Sequence, residues 1–248
     1  MDFNSFYFLV ITVIKFLDNI SISDTISDSH PDTGVEEDLA KILELFRSVI
    51  VNGCPEMDIP VLDPYEFDNC SGNFSEDILS YAIIIDNGII TGFSDFDVLG
   101  FNYDKLNLST YLKVYFPLLR LQSEYYELDG NIFQILPIRG RGVMHFEIRN
   151  LTISSEVFFT QSINEKSLII DYFEKTQFSI AKILAHTEID NNIDEIFNAF
   201  VEDVLTDYLN RFNKYLSAKN SSSVAKALNK LLNKLESWHL IKDFTHSS

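Results

Sequence analysis

Two apolar periods divide this chain, and their order limits the folds open to it. Through about residues 78–187 apolar side chains recur at every second position in short runs. From about 192 to 236 they recur at every third or fourth. Tyr81–Ile85 and Ile89–Gly92 flank Asp86-Asn87-Gly88, and Val114–Leu128 and Ile132–Ile138 flank Asp129-Gly130-Asn131; each pair reads as a tight hairpin. Arg139-Gly140-Arg141-Gly142 reads as a third turn. Met144, Phe146 and Ile148 alternate with His145, Glu147 and Arg149, the pattern of a strand with one buried face. Val157–Thr160, Ser167–Lys175 and Phe178–His186 read as three further strands. Hairpin connections make an antiparallel meander rather than βαβ units.

In the second region Ile193, Phe197, Phe200, Val204, Tyr208 and Phe212 fall on one helical stripe. Val224, Leu228, Leu231 and Leu235 continue it, with Ser221–Ser223 as a candidate kink. Seven acids and no base lie between Glu188 and Asp207, and six bases and no acid between Arg211 and Lys234, an order that suits the helix dipole. A shorter helix is expected earlier, from Leu39, Ile42, Leu43, Phe46, Val49 and Ile50, ended by Gly53 and Pro55. The expected fold is therefore α+β: a long curved antiparallel sheet wrapped around a long C-terminal helix. An elongated apolar space lies between them, filled by side chains or by a ligand.

Composition narrows the partners. The net charge of −18 argues against nucleic acid, which needs Lys and Arg to replace phosphate counterions, and against electrostatic docking on anionic lipid. Phe6–Ile14 is apolar apart from Thr12; nine residues are too few to span a bilayer, which needs about 20, but suit the core of a secretory signal cut after Ser23. The expected organisation is a signal peptide over 1–23, a linker over 24–35, one domain over 36–240 and a tail over 241–248, with no integral membrane span. Cys54 and Cys70 would close a 17-residue loop, worth about 3 kcal/mol if bonded in a secreted protein, and would be ordinary thiols in the cytosol. Six glycosylation sequons start at Asn19, Asn69, Asn73, Asn107, Asn150 and Asn220.

Several segments resemble known motifs. Gly53-Cys54-Pro55-Glu56-Met57-Asp58-Ile59-Pro60-Val61-Leu62-Asp63-Pro64 resembles the GxPExxIPxLDP opening of the insect juvenile hormone-binding and takeout proteins. Thr91-Gly92-Phe93-Ser94-Asp95-Phe96 resembles their GxSxF strand, Phe116 to Tyr125 their PxLxxxxxY strand, and Gly130 to Gly142 their G...LPIxGxG segment, in the family's order. The resemblance covers about residues 36–236. It implies a tubular lipid-binding fold and a secreted carrier of juvenile hormone-like terpenoids, fatty acids or other lipids. It also implies a Cys pair around the first helix, but Asp38 stands at the second of those positions and no Cys lies upstream.

No catalytic pattern accompanies these features. None of His30, His145, His186, His239 and His246 belongs to an HExxH, there is no Gly-x-Ser-x-Gly elbow, and Asp86, Asp95, Asp97 and Glu147 lack metal-ligand spacing. A binding protein without cofactor or metal is expected, not an enzyme. Its partner would be an apolar small molecule, with a protein receptor as a further partner. The alternative is the same fold acting as a protein- or membrane-interaction module. Candidate ligand-lining residues are Phe93, Phe96, Leu119, Leu121, Tyr125, Met144, Phe146, Ile148, Phe158 and Tyr172 on the sheet, with Phe197 and Phe200 on the helix. Tyr125 is the expected polar anchor.

Overall fold

The computed structural model describes residues 47–234, apart from 49, 54, 56–59, 77, 105, 163–166 and 190–193. The expected signal, linker and tail, most of the first helix, Ile193, Cys54, Asn19 and the side chains of Leu228, Leu231 and Leu235 lie outside the described residues. The Cys54–Cys70 pairing lies outside them too.

Six strands form one antiparallel sheet: β1 Tyr65–Glu76, β2 Leu79–Thr91, β3 Asp97–Asp104, β4 Ser109–Ile132, β5 Leu136–Gln161 and β6 Leu168–Ile189. The order is β1-β2-β4-β5-β6, with β3 paired to the first part of β4 on the side where β2 pairs to the rest. β4, of 24 residues, has a contour of about 80 Å at roughly 3.3 Å per residue.

All three expected turns are corrected by this topology. Asp86-Asn87-Gly88 lies inside β2, Asp129-Gly130-Asn131 inside β4, and Arg139 to Gly142 inside β5. The β4–β5 hairpin turns instead at Phe133 and Gln134, both at positive φ. The glycines meet a different need. Gly88 pairs with Phe67 and Gly130 with Tyr81, and a Cβ would overlap the Phe67 ring at 2.0 Å and the Tyr81 Cβ at 2.6 Å. The Phe67 ring lies across Gly88, a pairing that holds register without a side chain on the other strand, whereas at Gly130 the close approach is of the neighbouring strand's own backbone, the Ser80 carbonyl oxygen standing 2.3 Å from where a Cβ would be. Likewise Val157–Thr160 is the end of β5, and Ser167–Lys175 and Phe178–His186 are largely one strand, β6.

Creases interrupt these long strands and reset which residues face inward. On β4 the buried set runs Leu112, Val114, Phe116, then Leu119 and Ser123, then Tyr126, Leu128 and Ile132. The first reset falls at Pro117, beside Asn150 at φ 52°; the second is a bulge in which Glu124 and Tyr125 oppose Val143, beside Asn87 at φ 51° and Gly142 at φ 145°. Bulges of this kind sharpen twist and bend, which coils a wide sheet.

The C-terminal region is helical in pieces: α1 Asp194–Ala199, a π segment Phe200–Leu205, α2 Thr206–Arg211 and α3 Asn213–Lys234. The wider π turn, where the Thr206 hydroxyl donates to the Val201 carbonyl at 3.1 Å, advances the stripe by one residue. Val204 and Phe212, expected inside, are therefore exposed, while Leu205 and Leu209 pack on the core. The break falls at Phe212 rather than at Ser221–Ser223, which lie within α3.

Candidate functional site

The helix is fastened along the free edge of β6 by asparagines. Asn210 accepts from the Ile180 N–H at 2.8 Å and donates to the Ile180 carbonyl at 2.7 Å. Asn229 does the same at Ile170, at 2.7 and 2.8 Å, and Asn198 accepts from the Thr187 hydroxyl at 3.0 Å. The Asn210 and Asn229 amides each replace one residue of a neighbouring strand, so the exposed edge is closed by helix. The two elements run antiparallel, and the helix covers one side of a coiled sheet whose inner face is largely apolar, with buried hydroxyls such as Ser123 and Ser155 among the apolar side chains.

A second fastening lies at the start of the sheet. Residues 47, 48 and 50–52 are helical and end at Gly53, φ 70°. Ile50 is buried, and its carbonyl accepts from the Leu62 and Asp63 amides at 2.8 and 3.1 Å. The Asp63 carboxylate then accepts from the Gly92 amide, the Ser94 amide and the Ser94 hydroxyl, the last two at 2.8 and 2.5 Å. Arg47 donates to the Phe96 carbonyl at 2.7 Å and stands 5.2 Å from that ring's centre. Two of the recognised motifs thus join each other.

The candidate lining residues divide into groups. Phe93, Phe96, Leu119 and Met144 are fully buried, the first two against Phe116 with ring centres 6.4 and 6.3 Å apart. Leu121, Phe146 and Ile148 pack on the core as cross-strand neighbours and keep partial exposure. Phe197 and Phe200 are buried on the helix, Phe200 edge-on to Phe133. Three point elsewhere. Tyr125 is 39% exposed because the bulge turns it out and Tyr126, fully buried, in. Phe158 and Tyr172 stack at 4.5 Å across β5 and β6, on the face opposite the buried Val157 and Phe159. Sequence reading missed Phe116, Tyr126 and the helix asparagines. The signal for the last was amide side chains recurring beside an apolar stripe.

The outer face mixes exposed apolar side chains such as Ile84 and Val143 with polar clusters. Glu147 accepts from Arg149 at 2.7 Å, with Arg120 and His145 each at 3.4 Å; the Arg149 hydrogen bond foremost, with the His145 and Arg120 bonds, holds its carboxyl below the usual carboxylate value. His145 also bonds Gln122 at 2.9 Å and lies across from His186. A shallow outer groove of about 290 Å³ is lined by Asn73, Ser80, Ala82, Asp129, Asn131 and the Tyr81–Gly130 pair. Loss of hydration pushes the Tyr81 phenol up to about 12. Among the described residues no three His, Cys, Asp or Glu side chains could hold a metal ion, and no helix is long and apolar enough to cross a membrane.

A long coiled antiparallel sheet with an apolar inner face and a helix along its edge is the tubular lipid-binding architecture. Takeout 1 of Epiphyas postvittana shares it: the likeness covers 82% of this chain and 92% of that one, with a TM-score of 0.50 at 19% identity. A lipopolysaccharide binding protein matches 78% of this chain and 39% of its own length, with a TM-score of 0.31 at 14% identity. No curated protein sequence matches. The chain belongs to the haemolymph juvenile hormone binding protein family, whose model matches residues 7–242.

Proposed function

We propose that this protein is a secreted carrier that holds a hydrophobic small molecule, a terpenoid, fatty acid or other lipid, between its sheet and its helix. The observation that carries this reading is the inner face itself. Leu121, Phe146 and Ile148 sit at inward positions of the coiled sheet yet keep accessible surface, and an inward apolar residue that is accessible borders open space. These three, with Phe93, Phe96, Leu119, Met144, Phe197 and Phe200, are the proposed lining. Hiding about 400 Å² of an apolar ligand there would contribute on the order of 10 kcal/mol before the loss of translational freedom.

The secretory reading brings the signal over 1–23, a bridge between Cys54 and Cys70, and glycans on the exposed Asn69, Asn73, Asn107 and Asn150 as parts of the same proposal. Mass spectrometry of an organic extract of the protein from its native source should recover a lipid, and the purified protein should bind a fluorescent fatty acid that the extract displaces. Recovery of no lipid together with no fatty-acid binding overturns the carrier. It would favour the alternative, an interaction module, for which the tip of the β4–β5 hairpin speaks: Phe133, Ile135 and Leu136 are exposed there, Ile135 at 84%.

A further inference from the structure

Three buried side-chain oxygens of the described residues lack a hydrogen-bond partner: Ser123 Oγ, Asn213 Oδ1 and Ser217 Oγ. Two of these stand four residues apart on α3, so they project from one face, one turn above the other. Val224 continues that face and is buried, whereas Lys214, Tyr215, Ala218 and Lys219 on the opposite side are exposed. Ser217 is 2% exposed. The Asn213 Nδ2 donates to the Asn210 carbonyl, and its Oδ1 is buried without a partner. Asn210 at Ile180 and Asn229 at Ile170 bracket the pair, placing it beside the part of β6 that carries Thr176 and Phe178. The hydroxyls in that part of the sheet already have partners, Ser155 and Thr176 bonding each other at 2.7 Å.

A buried polar oxygen without a partner is disfavoured in the empty protein, and the disfavour is relieved by whatever brings the missing hydrogen bond. We infer that Asn213 and Ser217 form the polar anchor of the cargo site and select an apolar molecule that ends in a hydroxyl. The inference rests on the carrier reading and names its ligand class. Asn213 Oδ1 can only accept, while Ser217 Oγ can donate and accept. One hydroxyl satisfies both, donating to Oδ1 and accepting from the serine. An ether or ester has no hydrogen for Oδ1, and an ionised carboxylate would set negative charge against it. The anchor therefore selects long-chain or terpenoid alcohols over their ethers and esters.

The test is displacement of the reporter N-phenyl-1-naphthylamine by tetradecan-1-ol and by its methyl ether, from the full chain and from Ser217→Ala and Asn213→Leu. The alcohol should displace the reporter from the unaltered protein at about 10-fold lower concentration than the ether, the size of one to two buried hydrogen bonds. Each variant should bring that ratio to about one and leave the ether unchanged. Ser217→Ala should not lower the thermal midpoint of the empty protein, since it removes a group with no partner. Equal displacement by alcohol and ether in the unaltered protein, or a ratio that survives in Ser217→Ala, overturns the anchor and leaves the carrier standing. A lowered midpoint in Ser217→Ala gives the hydroxyl a partner within the protein and also overturns the anchor. Failure of the reporter and both competitors to bind overturns the carrier itself.

Discussion

The knot at Asp63 and the seam at α3 both join the sheet to something beside it, and they treat polar groups in opposite ways. In the knot each oxygen of Asp63 is engaged, by Gly92 and Ser94, and Arg47 is held to the Phe96 carbonyl and ring. Below it lie Phe93, Phe96 and Phe116, fully buried and in ring contact. In the seam Asn210 and Asn229 are engaged as fully, yet Asn213 and Ser217 between them hold buried oxygens with none. Complete pairing fixes one arrangement, whereas an unpaired buried oxygen favours any state that supplies its bond. The knot is frame, and the seam holds frame and binding groups on a single helix.

If the knot is frame, breaking it should cost more than breaking the seam. The largest effect is expected from Gly92→Ala. Gly92 has φ +99°, and a Cβ there would stand 2.1 Å from the Leu118 carbonyl oxygen, so the substitution meets both backbone strain and a clash with main chain. A loss of about 3 kcal/mol or more is expected in urea unfolding; a loss under about 1 kcal/mol would mean that this segment shifts freely and is no frame. Next comes Asp63→Ala, which leaves the Gly92 and Ser94 amides without an acceptor, at about 2–3 kcal/mol. Asn210→Leu should follow at about 1–2 kcal/mol, because the Ile180 N–H and carbonyl lose their partner at an edge that water can reach. Its distinguishing readout is faster hydrogen exchange at the Ile180 amide with the Gly92 amide unchanged. Exchange that quickened at both would mean that knot and seam open as one unit.

The difference between the regions was only partly legible in the chain. The switch of period from two to about 3.6 marked sheet and helix, because each side chain's burial follows from its own backbone geometry. Turn positions were misread because Gly in Asp86-Asn87-Gly88 and Asp129-Gly130-Asn131 has two uses, left-handed backbone in a hairpin or room for close approach of the next strand. What approaches is the Phe67 ring at Gly88 and the Ser80–Tyr81 backbone at Gly130, both distant in sequence. Tyr125 was exchanged with Tyr126 for a related reason. From Leu119 onward the alternation points to Tyr125, and only a bulge opposite Val143 makes Tyr126 the inner residue. The motifs around Asp63 and Ser94 were visible as words, but nothing local says that the first supplies the acceptor for the second. Polar positions on the helix were hidden by the π segment, which shifts every later residue against the expected stripe.

The smallest effect concerns a third way of treating polar groups, on the outer face where water competes. Glu147 is held by Arg149 foremost, with Arg120 and His145, and its carboxyl lies below the ordinary value of 4.5. A carboxyl that is more acidic in the folded protein than in the unfolded one adds stability above the unfolded value. That contribution is lost as pH falls through the lower, folded one. Both arginines are about half exposed, so screening should keep the gain below about 1 kcal/mol. Glu147→Gln should therefore leave the Gly92 and Asp63 effects untouched and flatten the acid limb of stability below about pH 5. Raising salt to about 1 M should shrink the difference between variant and parent, since ions screen a water-exposed charge pair and leave a bond between neutral groups such as Asn210 and Ile180 unaffected. A Glu147→Gln effect that survives high salt would place this cluster with the knot, as a joint that the sheet needs rather than a coat that it wears.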